Sequence, residues 1–132
     1  MKPFQIDWNQ GTYLDVLLIQ GQAIGPGPLK ELEKAYQSIV LLLEDFRSDS
    51  LKIHFCLCSI DGSFLAQLTK MLSSMNHRNS IMKKEISISW SFCDHCNQLQ
   101  EILEKFFADY SLLRFNFTRA SECQTVNQLH IF

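Results

Sequence analysis

The sequence carries no excess of positive charge: 12 Lys and Arg against 14 Asp and Glu leave a formal net charge of −2. A domain that tracks phosphates needs the opposite balance, so nucleic-acid binding is not expected. No apolar run approaches the ~20 residues of a membrane span; the longest, Ile39 to Leu43, belongs to an amphipathic pattern. The opening segment, Met1 to Trp8, lacks the apolar core of a signal peptide. A cytoplasmic location without membrane contact is therefore expected, with reduced thiols. The cysteine count of five is odd, which fits a closed disulfide framework poorly. Catalytic constellations are missing as well. No Ser-His-Asp order and no paired carboxylates in an apolar setting can be assembled, and Gly25-Pro26-Gly27-Pro28 has no Lys-Ser/Thr after it, so it is not a phosphate loop. These absences point to a non-enzymatic protein without a cofactor.

What is present is material for one core. The chain has 132 residues, 46% of them hydrophobic, with ten Phe. This suits a single domain, here 1–118, followed by a tail, 119–132, to which no structure is assigned. Such a length buries enough surface to fold without a disulfide or metal.

Phe4 to Trp8 alternates apolar and polar residues, Asn9-Gln10-Gly11 forms a turn, and Thr12 to Gln20 makes a second strand, giving an antiparallel hairpin. Gly and Pro density from Gly21 to Pro28 predicts an irregular exposed loop. Pro28 suits the first turn of a helix, because its missing N–H costs nothing there. Leu29, Leu32, Tyr36, Ile39, Val40, Leu43 and Phe46 then share one helical face, up to Ser48-Asp49-Ser50. Leu51 to Cys58 has the composition of a buried strand, interrupted by His54, with Cys56 and Cys58 as small core residues on one face. Leu65, Leu68, Leu72 and Met75 mark a second helix, stopped by Asn76 to Ser80. From Glu85 to Phe92, Ile86, Ile88 and Trp90 face one way and Ser87, Ser89 and Ser91 the other, in strict period-two alternation. Leu99, Ile102, Leu103, Phe106 and Tyr110 give a third helix, and Leu113 to Thr118 a last strand. The order β-β-α-β-α-β-α-β implies an α/β fold: a mixed sheet packed against amphipathic helices, parallel where right-handed crossovers join the strands.

Two stretches invite a functional reading. The first is Ser59-Ile60-Asp61-Gly62-Ser63, where a buried strand turns into a helix. Such a turn exposes unpaired backbone N–H groups and the positive end of a helix dipole. Asp61 or Ser63 can serve there as an N-cap; alternatively, a phosphate placed there would be held by the helix start and would recharge a docking face.

At this point the chain, from roughly Leu14 to Phe117, resembles the SiaC family of bacterial regulatory phosphoproteins, with a fold similar to STAS anti-sigma-factor antagonists. The resemblance rests on Leu18-Ile19-Gln20-Gly21, on the apolar face Tyr36, Ile39, Val40, Leu43 and Phe46, and on Ile53 to Leu57 followed by a polar turn and a helix with Ala66 near its start. It also rests on Ile86-Ser87-Ile88-Ser89-Trp90 and on Phe115-Asn116-Phe117. The resemblance implies a partner-switching regulator: a hydroxyl residue at the turn is phosphorylated by a kinase and dephosphorylated by a PP2C-type phosphatase, and the unphosphorylated form activates a diguanylate cyclase, so that cyclic-di-GMP signalling is controlled. It makes Ser59, Asp61 and Ser63 the phosphoswitch turn, and Gly25, Pro26, Gly27, Asp61, Gly62 and Ser63 the partner surface.

The departures fall on the same residues. The family has Asn-Thr-Ser-Ser at the turn, and its acceptor Thr aligns with Asp61, followed by Gly62 and Ser63. A carboxylate cannot form the same stable phosphate ester, so Asp61 either mimics the phosphorylated state or leaves acceptance to Ser63 or Ser59. The family's Tyr-Pro-Glu-Asn stretch gives way to Gly25-Pro26-Gly27-Pro28. In the same class stands an anti-sigma-factor antagonist that binds a kinase-type anti-sigma factor.

The second stretch is Cys93-Asp94-His95-Cys96, a Cys-x-x-Cys between a strand and a helix, the setting of a redox pair. It supports an alternative reading as a small dithiol or metal-binding protein using Cys93 and Cys96. Against it, only 36 residues follow Cys96 and every proline precedes it, too little for the rest of a thioredoxin fold. A structural zinc site also needs four ligands, and no second pair stands nearby in the sequence.

Overall fold

Alternation and helical spacing build the elements where apolar residues can share a face. In the computed structural model, which describes residues 3–10, 14–44, 50–92 and 97–119, the order is β1 (Gln5–Gln10), β2 (Leu14–Ala23), α1 (Pro26–Leu43), β3 (Ser50–Ile60), α2 (Gly62–Met82), β4 (Glu85–Phe92), α3 (Asn97–Phe107) and β5 (Arg114–Arg119). The expected β-β-α-β-α-β-α-β order is present. The strands form one five-stranded sheet in the order β1-β2-β3-β4-β5. β1 runs antiparallel to β2, with Ile6 opposite Ile19, and every later pair is parallel.

Each β-α-β step moves one strand further in the same direction. Right-handed crossovers then place every helix on the same side of the sheet. The core shows this: Leu17 and Ile19 of β2, Ile53, Phe55 and Leu57 of β3, and Ile86, Ile88 and Trp90 of β4 form one cluster with Leu32 and Ile39 of α1, Phe64, Leu68 and Leu72 of α2, and Leu103 and Phe107 of α3. Trp90 is fully buried and stacks on Phe55 at 4.4 Å between ring centres. Phe107 stacks on Phe115 at 4.7 Å and fastens α3 to the outer strand.

Residues of the opposite parity face away from the helices. Leu18 and Cys56 form a small separate cluster there. His54 is 4% exposed, and Ser91 Oγ lies 3.1 Å from its Nε2 across the strands. Burial holds the His54 imidazole down to a pKa of about 4, because the cation loses its hydration. This histidine interrupts an apolar strand only in sequence; in the sheet it is a neutral, structural residue.

Several expected boundaries move. Gly21 to Ala23 is strand, not loop: β2 continues past a register shift between Gly21 and Gln22. Gly21 takes φ +101°, and a Cβ there would stand 2.1 Å from the Pro3 carbonyl oxygen. Only glycine lets the incoming chain cross β2 so closely. Helix α1 begins at Pro26, two residues before the expected Pro28. Helix α2 runs through Asn76–Ser80 to Met82, which places His77 inside it. Asn79 does not break the helix because its side chain bonds outward, to the backbone of Lys84 and Leu112, instead of competing for its own turn. The helix stops at Lys83, whose φ of 54° is left-handed and whose N–H caps Asn79. Lys84 donates from Nζ to the Leu42 carbonyl at 3.2 Å, which ties the link between α2 and β4 to the end of α1.

Asn9 and Gln10 of the expected turn belong to β1, Ser50 of the expected helix stop opens β3, and Arg119, expected in the tail, closes β5. Gly11, Ser48 and Asp49, the Cys93–Cys96 motif and the tail from Ala120 lie outside the described residues. Among the described residues, no helix is long and apolar enough to cross a membrane.

Candidate functional site

The parallel strands end together at one edge of the sheet, where β2 and β3 hand over to α1 and α2. The expected five-residue turn after β3 is shorter in the fold. Ser59 and Ile60 are still strand, with Ser59 opposite Gln22 and Ile60 opposite Ala23. Asp61 is the entire connection, since α2 begins at Gly62. Ser59 is therefore part of the sheet and half-buried, whereas Ser63 stands exposed in the first turn of α2.

Asp61 holds this corner by four hydrogen bonds. Its backbone N–H donates to the Ala23 carbonyl at 3.1 Å, and its carbonyl accepts the first helical bond from Leu65 at 3.1 Å. Its Oδ1 accepts from the Phe64 N–H at 2.8 Å, a regular N-cap. Its Oδ2 accepts from the Gly25 N–H at 2.8 Å. The cap reading of Asp61 is thus the observed local geometry, and a second bond, to the other loop, adds to it.

Gly25 is itself the N-cap residue of α1, with no side chain to cap it. A helix start leaves four N–H groups without intrahelical partners. Here two of the four positions, Pro26 and Pro28, carry no N–H, and the Gly25 N–H goes to Asp61. A single carboxylate consequently serves the starts of two helices, and both dipoles present their positive ends to it. The bond from Gly25, then that from Phe64, holds the Asp61 carboxyl below its ordinary pKa, against a smaller opposing effect of desolvation and with a lesser contribution from Ser63. Gly25 has φ 90° and ψ −178°, a conformation open essentially to glycine alone.

The predicted partner-surface residues meet at this corner. Gly25 and Asp61 are bonded, Pro26 and Gly27 open α1, and Gly62 and Ser63 open α2. Pro26, Gly27, Gly62 and Ser63 are exposed. Beyond Gly25, Gly27 and Gly62, nothing lies within 4 Å of where a Cβ would stand, so the backbone here is open to close approach. The residue that sequence reasoning missed is Ile24. It is 54% exposed, beside a fully buried Ala23. Its signal in the sequence is an isolated large apolar residue between Ala23 and Gly25, within the Gly- and Pro-rich stretch that predicts a loop.

No protein-family model matches the chain. No curated protein matches it either. Solved structures do. A chain in the crystal structure of the diguanylate cyclase SiaD in complex with its activator SiaC from Pseudomonas aeruginosa superposes with a TM-score of 0.73 at 18% identity, covering 89% of this chain and 93% of that one. SiaC of Pseudomonas aeruginosa superposes with a TM-score of 0.67 at 15% identity, covering 88% and 99%. The expected SiaC-like α/β fold is present over most of the chain.

Proposed function

We propose, from the shared fold and the corner built around Asp61, that this chain is a non-enzymatic signalling regulator that docks onto a diguanylate cyclase and so governs cyclic-di-GMP output. The observation that carries the reading is the superposition on a chain of the SiaD–SiaC complex at a TM-score of 0.73. Residues 1–118 form the regulatory domain, and Gly25, Pro26, Gly27, Asp61, Gly62 and Ser63 form the docking surface.

In this reading a kinase and a PP2C-type phosphatase act on the same corner. The Asp61 carboxylate occupies the helix start, which leaves a hydroxyl as the acceptor. Ser63 suits a kinase better than Ser59, because it is exposed and lies outside the strand ladder. A phosphate on Ser63 would lie beside the Asp61 carboxylate and change the charge of the docking face by about −1.5 to −2.

The direct test is cyclase activity in the presence of the purified chain. Added to purified SiaD of Pseudomonas aeruginosa, or to a cyclase from the protein's own cell, the chain should raise cyclic-di-GMP production, and Ser63→Glu should suppress the effect. Failure to bind or activate either cyclase contradicts the reading. Absence of added phosphate after incubation with a cognate kinase, by mass spectrometry, removes the switch and leaves a constitutive binder.

A further inference from the structure

Ile24 is the exposed apolar side chain of the Asp61 corner, and the loop that carries it has few supports of its own. Gly25 adopts a backbone conformation with no side-chain restraint, and its side of the corner is open. Ala23, just before it, is anchored as the last residue of β2. After it, Pro26 starts α1. Between these fixed points, the bond from the Gly25 N–H to Asp61 Oδ2 ties the loop sideways to α2.

We propose that Asp61 is a positioning residue: its carboxylate ties the Ile24–Gly25 loop to the start of α2, and that tie sets Ile24 as an apolar knob for docking into a protein partner. The inference rests on the regulator reading for the identity of the partner, a diguanylate cyclase, but not for the tie itself. Two features suit the knob to a protein surface. A half-exposed isoleucine needs an apolar pocket to gain from burial. The glycines around it, Gly25, Gly27 and Gly62, leave no side chain that would hold a partner's rim away.

The chemistry of Asp61 separates its two tasks. Asparagine caps helices about as well as aspartate, so Asp61→Asn keeps one oxygen for the Phe64 N–H. Its amide nitrogen is a donor and cannot accept from the Gly25 N–H. The variant should therefore keep α2 capped and release the loop. Asp61→Ala removes both bonds.

The experiment pairs amide hydrogen exchange with calorimetric binding to purified SiaD of Pseudomonas aeruginosa, using the full chain. In the wild type the Gly25 amide should exchange slowly. In Asp61→Asn it should exchange at least tenfold faster while Phe64 stays protected, and cyclase affinity should fall about tenfold. Ile24→Ser should leave Gly25 protected and lose binding by a similar or larger factor. Unchanged Gly25 protection in Asp61→Asn overturns the tie. Unchanged affinity in Ile24→Ser overturns the knob, as does an Ile24→Ser effect confined to self-association by sedimentation. If the wild type binds no cyclase, the regulator reading and the docking role fall together, while the exchange of Gly25 still decides the tie.

Discussion

Helix α2 is fastened at each end by one polar side chain, Asp61 at its start and Asn79 near its finish. Asn79 is 4% exposed and uses its amide fully: Nδ2 donates to the carbonyls of Lys84 at 2.9 Å and Leu112 at 3.0 Å, and Oδ1 accepts from the Lys84 N–H at 2.8 Å. It is neutral, enclosed and surrounded by backbone. Asp61 makes comparable bonds, but it is charged, partly open, and bordered by Ile24 and three glycines with empty space beside them. The two ends solve the same problem of joining a helix to its neighbours. A neutral amide inside the fold does it with no means of control. A carboxylate at the rim does it in a form that a proton, a nearby phosphate or a partner can disturb.

Removing the core on which the helices pack should have the largest effect. Trp90→Ala takes away a fully buried ring stacked on Phe55, a loss of about 3–5 kcal/mol, and urea unfolding should remain a single transition. Two separated transitions would mean that the ends are independent units and would break the comparison.

The next effect concerns pH. His54 has its pKa lowered from 6.5 to about 4. Between these values the unfolded chain binds the proton and the folded chain does not, so stability falls as pH drops from 6.5 to 4 and then levels. The loss is at most about 3 kcal/mol. His54→Leu should flatten that interval in a series of urea titrations. A slope that persists in the variant would move the acid sensitivity elsewhere, to the carboxylates.

Asn79→Ala removes three bonds to the backbone of Lys84 and Leu112 from a side chain that is itself buried and should cost about 1–3 kcal/mol, with cyclase binding unaffected. Loss of binding would show that the finish of α2 also belongs to the docking surface. The smallest effect on stability belongs to Gly27→Tyr. This position has an unstrained backbone and open space around it, so stability should change by no more than about 0.5 kcal/mol, while docking is blocked. A stable variant that still binds the cyclase at wild-type affinity would take Gly27 off the surface.

Much of the scaffold was legible because apolar period carries it. Ile86, Ile88 and Trp90 alternate strictly, and all three are buried. Leu32, Ile39 and Leu43 recur at helical spacing and do face the core. Two of the misplaced boundaries involve residues whose usual preference is overridden by a contact distant in sequence. Gly21 looked like a loop residue, but Pro3 crosses it and keeps it in the strand. Asn79 looked like a helix stop, but the partner that absorbs its side chain, Leu112, lies 33 residues away. At the site, the sequence placed Asp61 before a helix and so suggested a cap. The second bond was invisible, because Gly25 is 36 residues away and donates only a backbone N–H. No residue type announces that contact; only parallel pairing of β2 with β3 brings the two helix starts to one corner.

Whether one carboxylate seats two helix starts is decided by an NMR pH titration of the Asp61 carboxyl carbon, with the Gly25 and Phe64 amides followed in the same samples. Asp61 should titrate below the ordinary aspartate value, its stabilising effect being present above that value and lost as pH falls through the lowered one. Both amide signals should shift with that same midpoint. An Asp61 that titrates at the ordinary value, with Gly25 unresponsive, would contradict the account.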